Sequence, residues 1–373
     1  MTPRQRQIYE VVQRLGSKTA AAKELQIDKA YVRRAYAAAE AWLNADSGVI
    51  AALESTGLSA ETGKHGWRRV QNKETGSWDS VFWKSENAQD DLTSWADLFK
   101  EALGDIPPPL AAPAPTDVVH DLLPRYIVAD IHFGMRAWKD ETGEEYSIEI
   151  AAHRMAEASA MLIHAAPYTD RAIILNLGDT LHQNDSKNMT PTSSHILDVG
   201  GRFAETALAA VRAHVAMIEA AKAKHKHIEV VVLAGNHDPD FTPMLAIALI
   251  MRYEEDERVT VHFNPAKLWV WEFGRTMLSA HHGDKTKPDR LAMQVADVHA
   301  PIWGRTYWRY MDTGHIHQDS SKDIGGIFWE SHRAITTRDA AAAGFGYTGR
   351  STMKCITVHR ERGEVMRYTA AIG

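Results

Sequence analysis

A single cysteine, Cys355, stands among 373 residues, and one thiol excludes an internal disulfide. That scarcity favours a reducing compartment, with Cys355 expected as a small buried apolar side chain in a strand. No apolar run approaches the roughly 20 residues needed to span a bilayer, so no membrane association is expected. The first ten residues are polar and carry Arg4 and Arg6 without an apolar stretch behind them, which is not a secretory pattern. A cytoplasmic protein is the expectation. The G-K-[ST] of a phosphate-binding P-loop is missing, as are internal repeats and any convincing Ser-His-Asp or reactive-Cys arrangement.

What is present is ordinary in bulk and asymmetric in detail. Hydrophobic residues at 45% and charged residues at 24% fit a soluble globular chain, and the length allows one large domain plus a small module. The net charge of -6 hides a basic beginning: residues 1–45 hold eight Lys and Arg against four acids, a net +4, leaving -10 for the remainder. A basic head on an acidic body suits a nucleic-acid-binding appendage, and a solvated basic helix face gives the same count.

In that head Ile8, Val11, Val12 and Leu15 recur at helical spacing, Gly16 interrupts, and Ser17 can cap a second helix over residues 18–25. Asp28 is placed to cap a third helix that carries Lys29, Arg33 and Arg34 near its start and Tyr31, Tyr36 and Trp42 along it. The pattern is helix-turn-helix. A DNA-reading helix presents basic or amide side chains at its N-terminal end, so Lys29, Arg33 and Arg34 are the candidate DNA contacts; a helical docking or dimerisation module is the other reading. Trp67, Val70, Trp78, Val81, Phe82 and Trp83 around a turn at Glu74-Thr75-Gly76 suggest a hairpin, a wing whose tryptophans either stack on bases or form its own core. A short helix near residues 92–103 leads into a Pro/Ala-rich spacer. The expected organisation is a helix-turn-helix domain over 1–105, a linker over 106–117 and a catalytic domain over 118–373.

Beyond the spacer, strand-like apolar runs at 126–129, 172–176 and 228–234 alternate with helical stretches such as 207–224. Further strands are expected at 259–263, 268–271, 277–280, 327–329, 353–358 and 365–368. This reads as a layered α/β domain with its chemistry on loops at strand ends. Five clusters of metal-binding side chains punctuate it: Asp130-Ile131-His132, Gly178-Asp179-Thr180-Leu181-His182, Gly235-Asn236-His237-Asp238, His281-His282-Gly283-Asp284 and Gly314-His315-Ile316-His317. The first four each end an apolar run. One such cluster is weak evidence, since a lone His or Asp beside a strand is usually structural. Five together, mixing carboxylate, imidazole and amide ligands, suit two manganese, iron or zinc ions rather than an all-oxygen calcium or magnesium cage.

The order D-x-H, G-D, G-N-H-D, H-G, G-H-x-H resembles that of the calcineurin-like metallophosphoesterase superfamily, from about Arg125 onward. The resemblance implies a β-sandwich flanked by helices. It implies that Asp130, His132 and His317 bind one ion, Asn236, His282 and His315 the other, and that Asp179 bridges them. It further implies that His237 sits beside the scissile phosphate with Asp238 orienting its ring. Alternate residues of an extended segment face one way, so Asp130 with His132, or His315 with His317, can converge; of His281 and His282 the H-G pattern selects His282. Two such ions clamp a phosphate oxygen and hold a bridging hydroxide for in-line attack, with the motif glycines serving tight turns.

His182 continues the second motif as G-D-x-x-H, which is similar to the SbcD-like nuclease branch and places this imidazole near a phosphodiester; hydrogen bonding to an outer carboxylate is the bland role. Lys285, Lys287, Arg290, Arg305, Trp308 and Arg309 can track a phosphate backbone or simply form a solvated loop around a core Trp. Arg333 and Arg338 can neutralise substrate charge or make structural ion pairs. The chain also looks like phage- or prophage-encoded metallophosphoesterases with such a head, for which the compartment is the host cytoplasm. The expected function is a binuclear phosphodiesterase acting on DNA, with manganese first among the metals and iron, zinc, nickel or magnesium as alternatives; a homodimer stays open. A phosphatase or cyclic-nucleotide phosphodiesterase, and a DNA-binding protein with a dormant metal site, are the rival readings.

Overall fold

The computed structural model describes residues 3–44, 65–71, 78–84, 113–191, 194–346 and 348–372. The chain divides into two compact units, Met1–Trp95 and Ala96–Gly373. The first contains α1 (Pro3–Leu15), α2 (Lys18–Leu25) and α3 (Lys29–Asn44), followed by a hairpin of β1 (His65–Gln71) and β2 (Trp78–Lys84). Ser17 caps α2 by accepting from the Ala20 N–H, and Asp28 caps α3 by accepting from Ala30 and Tyr31 at 2.8 and 3.0 Å. The helices meet through Ile8, Val12, Ala21, Ala22, Val32, Ala35 and Tyr36. Because Val32, Ala35 and Tyr36 face inward, Lys29, Arg33 and Arg34 are left exposed on α3. The hairpin pairs Trp67 with Phe82 and Gln71 with Trp78. The turn at residues 74–76, the helix expected near 92–103 and the spacer over 106–112 lie outside the described residues, as do the hairpin side chains and that of Trp42.

The second unit is built in four layers. Its six-stranded sheet has the order β13-β12-β3-β4-β5-β6, from β3 (Leu122–Val128), β4 (Thr169–Asn176), β5 (His225–Val232), β6 (Val259–His262), β12 (Ser351–His359) and β13 (Gly363–Ile372). Strands β3 to β6 run parallel. Strands β3 to β5 are apolar on both faces toward their C-terminal ends because both faces are covered there. Tyr126, Val128, Ile174, Val230 and Val232 pack under α5 (Ile148–Ala165), α6 (Phe203–Lys222) and α7 (Phe241–Arg252), which follow the single turn α4 (Lys139–Thr142). Leu123, Ile127, Ile173, Leu175 and Val231 pack on Trp269, Leu278 and Ala280 of the other sheet.

That second sheet has the order β10-β11-β9-β8-β7, from β7 (Leu268–Phe273), β8 (Thr276–His281), β9 (Trp308–Thr313), β10 (Ser320–Ile324) and β11 (Ile327–Ser331). Its outer face carries α8 (Pro288–Val298), through Leu291 and Val295 on Met277, Met311 and Trp329; α9 (Ala300–Arg305) and the short α10 (Ala340–Gly344) are the remaining helices described. The helix-flanked sandwich expected from the sequence is therefore present. Strands β9 and β10 were not expected. Cys355 is fully buried in β12, and burial pushes its thiol up to about 12. Among the described residues no helix is long and apolar enough to cross a membrane.

Candidate metal centre

All five motifs lie just beyond strand ends: after β3, β4 and β5 in one sheet, and after β8 and β9 in the other. These are the C-terminal ends of parallel strands, where open sheets leave a crevice. The fifth motif thus also follows a strand, which its sparsely apolar sequence concealed. The extended-segment route to convergence does not apply. Asp130, His132, Asp179, His315 and His317 all sit at positive φ, between 48° and 69°, so left-handed kinks rather than strand alternation aim the side chains. The first two loops are laced together by His132 N–H to Asp179 O at 3.0 Å and His182 N–H to Phe133 O at 2.9 Å. The motif glycines do more than turn the chain. A Cβ on Gly235 would overlap the Asp179 carboxylate, and one on Gly314 would lie 2.5 Å from Asp130 Oδ2.

Two groups of donors result. Asp130, His132 and His317 form one and Asp179, His282 and His315 the other, the ligand-type atoms of each lying within 4.8 Å of one another. His132 Nε2 is 3.3 Å from His317 Nε2, and His317 Nε2 is 3.4 Å from Asp130 Oδ1. Asp179 stands between the groups, its Oδ2 3.3 Å from His282 Nε2 and 3.8 Å from His132 Nε2. Its Oδ1 accepts the His237 N–H at 2.8 Å, and Asn236 Oδ1 lies 2.9 Å from His282 Nε2. Ligands about 2.1 Å from a common ion are roughly 3.0–3.4 Å apart, so these spacings fit cation cages. Facing imidazole nitrogens such as His132 and His317 need a cation or a proton between them. Burial opposes charge on His282, yet the adjacent Asp179 carboxylate holds its ring up to about 10. Its Nδ1 is fixed 2.9 Å from the Leu177 carbonyl, the arrangement that orients metal-binding imidazoles.

His182 and His237 stack at 5.2 Å, and both rings stand edge-on to His132. His182 Nδ1 is 3.2 Å from His132 Nδ1, so its partner is an imidazole and not an outer carboxylate. Burial, with His237 adding to it, drives the His182 ring down to about 3. The expectation for Asp238 is corrected. His237 Nδ1 lies 2.8 Å from the backbone oxygen of His182, which therefore orients the ring. The Asp238 carboxylate instead accepts from the Leu181 N–H at 2.9 Å and the Thr242 hydroxyl at 3.4 Å. Its own backbone carbonyl accepts from Thr242 N–H as α7 begins.

His281 is buried and its Nδ1 accepts from Gly283 N–H, while Asp284 pairs with Lys267 at 3.1 Å; both are structural. Arg305 pairs with Glu272 at 2.6 Å, Arg309 donates to the carbonyls of Trp303 and Thr306, and Trp308 donates to that of Glu361. These three are committed to the fold rather than to a phosphate track. Lys285, Lys287 and Arg290 are exposed. Arg333 pairs with Asp319 at 3.4 Å, whereas Arg338 faces the cavity beside the donor groups, its Nε donating to Thr142 O at 2.5 Å.

Two further groups among the described residues have suitable spacing for a cation, His132 with His182 and His237, and Asp319 with Glu330 and His332. The latter pairs two acids with cations. It is already neutralised, with Lys354 2.7 Å from Asp319 and 2.8 Å from Glu330, and Arg367 2.5 Å from Glu330. Sequence reasoning missed this network and most of the wall of the cavity, since neither lies within a motif, but it did single out Arg338 on that wall.

No protein-family profile matches the chain, and no curated protein does either. Similar solved structures include a predicted phosphoesterase from Streptococcus pneumoniae TIGR4, 12% identical over 68% of this chain and 99% of that one, with a TM-score of 0.29. An archaeal phosphodiesterase is 12% identical over 66% of this chain and 99% of its own, with a TM-score of 0.34. Vps29 from Entamoeba histolytica, solved with zinc, is 10% identical over 67% and 99%, with a TM-score of 0.28.

Proposed function

We propose that this chain is a two-metal phosphodiesterase whose substrate is DNA. The observation that carries the reading is the Asp179 carboxylate set between two cages of imidazole and carboxylate donors. Asp130, His132 and His317 would hold one ion, Asn236, His282 and His315 the other, and Asp179 both. Two divalent cations so held supply Lewis-acid polarisation of a phosphoryl oxygen and a nucleophile from water at neutral pH. The imidazole-rich donor set suits manganese, iron or zinc, of which manganese is our first choice.

The residues around the cages have separable tasks. The His182 carbonyl can only accept, so His237 carries a proton on Nδ1, and Nε2 is the nitrogen that exchanges one with the leaving oxygen. His132 turns Nε2 toward Asp179 and His317, which leaves its Nδ1 to donate to His182 Nδ1. The His182 proton then resides on Nε2, making this neutral ring a fixed hydrogen-bond donor rather than an acid. Asp238 positions the loop beneath them. The exposed Lys29, Arg33 and Arg34 at the start of α3 support delivery of DNA by the head.

The test is a cleavage assay on single- and double-stranded DNA with manganese, comparing the wild type with His237→Ala and His182→Ala. His237→Ala is expected to lose about 10²–10⁴-fold in rate. His182→Ala is expected to lose diester cleavage while retaining hydrolysis of p-nitrophenyl phosphate. Brisk turnover of that monoester with neither form of DNA cut would sink the DNA reading.

A further inference from the structure

The donor groups open into a cavity of about 550 Å³ whose far wall comes from residues outside every motif, among them Gln318, Thr337, Arg338 and Arg350. Both cations face the same space as His237 and His317. They differ in freedom. Arg338 is half-buried and tied to the Thr142 carbonyl. Arg350 is exposed, and no hydrogen bond or ion pair joins its guanidinium to another described residue.

Its place at the rim is nevertheless fixed by its neighbours on both sides, Gly349 by close approach and Ser351 through its hydroxyl. The preceding Gly349 packs against the His317 carbonyl, a Cβ there falling 3.5 Å from that oxygen. The following Ser351 donates to the Thr336 carbonyl at 2.8 Å, and Thr336 N–H in turn donates to Asp130 O at 3.3 Å. The rim is thereby anchored to both ends of one donor group. The one carboxylate on this wall, Asp339, is occupied in accepting the Ala342 N–H at 2.7 Å.

An unpaired guanidinium held beside a phosphate-handling centre is a bidentate receptor for a second phosphate. Resting on the diesterase reading above, we infer that Arg350 binds the phosphate flanking the scissile one. The site would then select strands carrying at least two phosphates over isolated phosphate esters.

The experiment measures binding of thymidine 3′,5′-bisphosphate and of thymidine 5′-monophosphate to the manganese-loaded full chain. The wild type is expected to favour the bisphosphate. Arg350→Ala is expected to lose that preference by about tenfold, Arg350→Lys to keep part of it because lysine is only a point charge, and Arg362→Ala, an exposed cation away from the cavity, to leave it unchanged. A preference unchanged in Arg350→Ala, an equal weakening of both ligands, or no preference in the wild type would each overturn the inference. A parallel assay on bis(p-nitrophenyl) phosphate separates the two claims. Loss of the preference in a protein that cuts no diester would remove the diesterase reading and leave Arg350 as a phosphate receptor. Diester cleavage with an unaltered preference would do the reverse.

Discussion

Left-handed backbone costs a non-glycine residue on the order of 1–3 kcal/mol, and five of the eight non-glycine residues at positive φ among those described are the Asp and His residues of the centre. Such strain persists where surrounding contacts over-determine it, and here close approach does so. Gly235 leaves the space that the Asp179 carboxylate fills. Gly235→Ala is accordingly expected to displace Asp179, lowering activity more than 100-fold and the bound metal below two ions per chain, as read by elemental analysis after dialysis. Asp238 makes a second prediction at this scale. Because its carboxylate holds Leu181 and Thr242 rather than the His237 ring, Asp238→Ala should destabilise the fold by about 1–3 kcal/mol for a buried, unmatched N–H. A normal urea midpoint with a fall in kcat alone would restore the orienting role. The candidate metal ligands were legible because Asp, Asn and His recur in a fixed order after apolar runs. Their kinks, and the carbonyl that orients His237, were not, since φ and backbone partners leave no trace in residue type.

At the scale of elements, legibility followed covering. Strands β3, β4, β5 and β12, buried on both faces, read as apolar runs, whereas β9 and β10 did not. β10 is an exposed, polar edge strand beside β11, and β9 carries Arg309 and Asp312 among its six residues. Asp312 is buried between the sheets against Arg125 of β3, and its other oxygen is 2.9 Å from His332 Nε2. A buried ion pair thus stands where alternation would put two apolar residues, two positions before the fifth motif. Removing one partner of such a pair leaves an uncompensated charge and costs about 3–5 kcal/mol. Asp312→Ala should show that loss in urea unfolding, and the double variant Arg125→Met/Asp312→Leu should recover most of it. Equal instability of the double variant would mean that geometry, not charge, is what the pair supplies.

For the whole molecule the decisive quantity is the charge difference between residues 1–45 and the rest of the chain. The chain carries -6 overall, with +4 on residues 1–45 and -10 on the remainder, so on the DNA reading a polyanion approaching the second unit meets a net charge of its own sign. On the proposed function, two divalent ions held by the donor groups would make their pocket positive against the carboxylates of Asp130 and Asp179. Recruitment of a long strand then falls to the head, and that proposal has a measurable signature. Each phosphate contact contributes about -0.9 to the slope of log K against log salt on duplex DNA. Replacing Lys29, Arg33 and Arg34 together by Ala should flatten the slope by about 2.7 if all three touch phosphates, and raise the KM for duplex DNA at moderate salt. Turnover of bis(p-nitrophenyl) phosphate, which needs only the cages and their histidines, should stay within twofold. If the slope is unchanged, the exposed face of α3 does not read DNA and the head serves a protein partner instead. If the small-substrate rate falls as well, the two units are coupled and delivery alone does not describe the head.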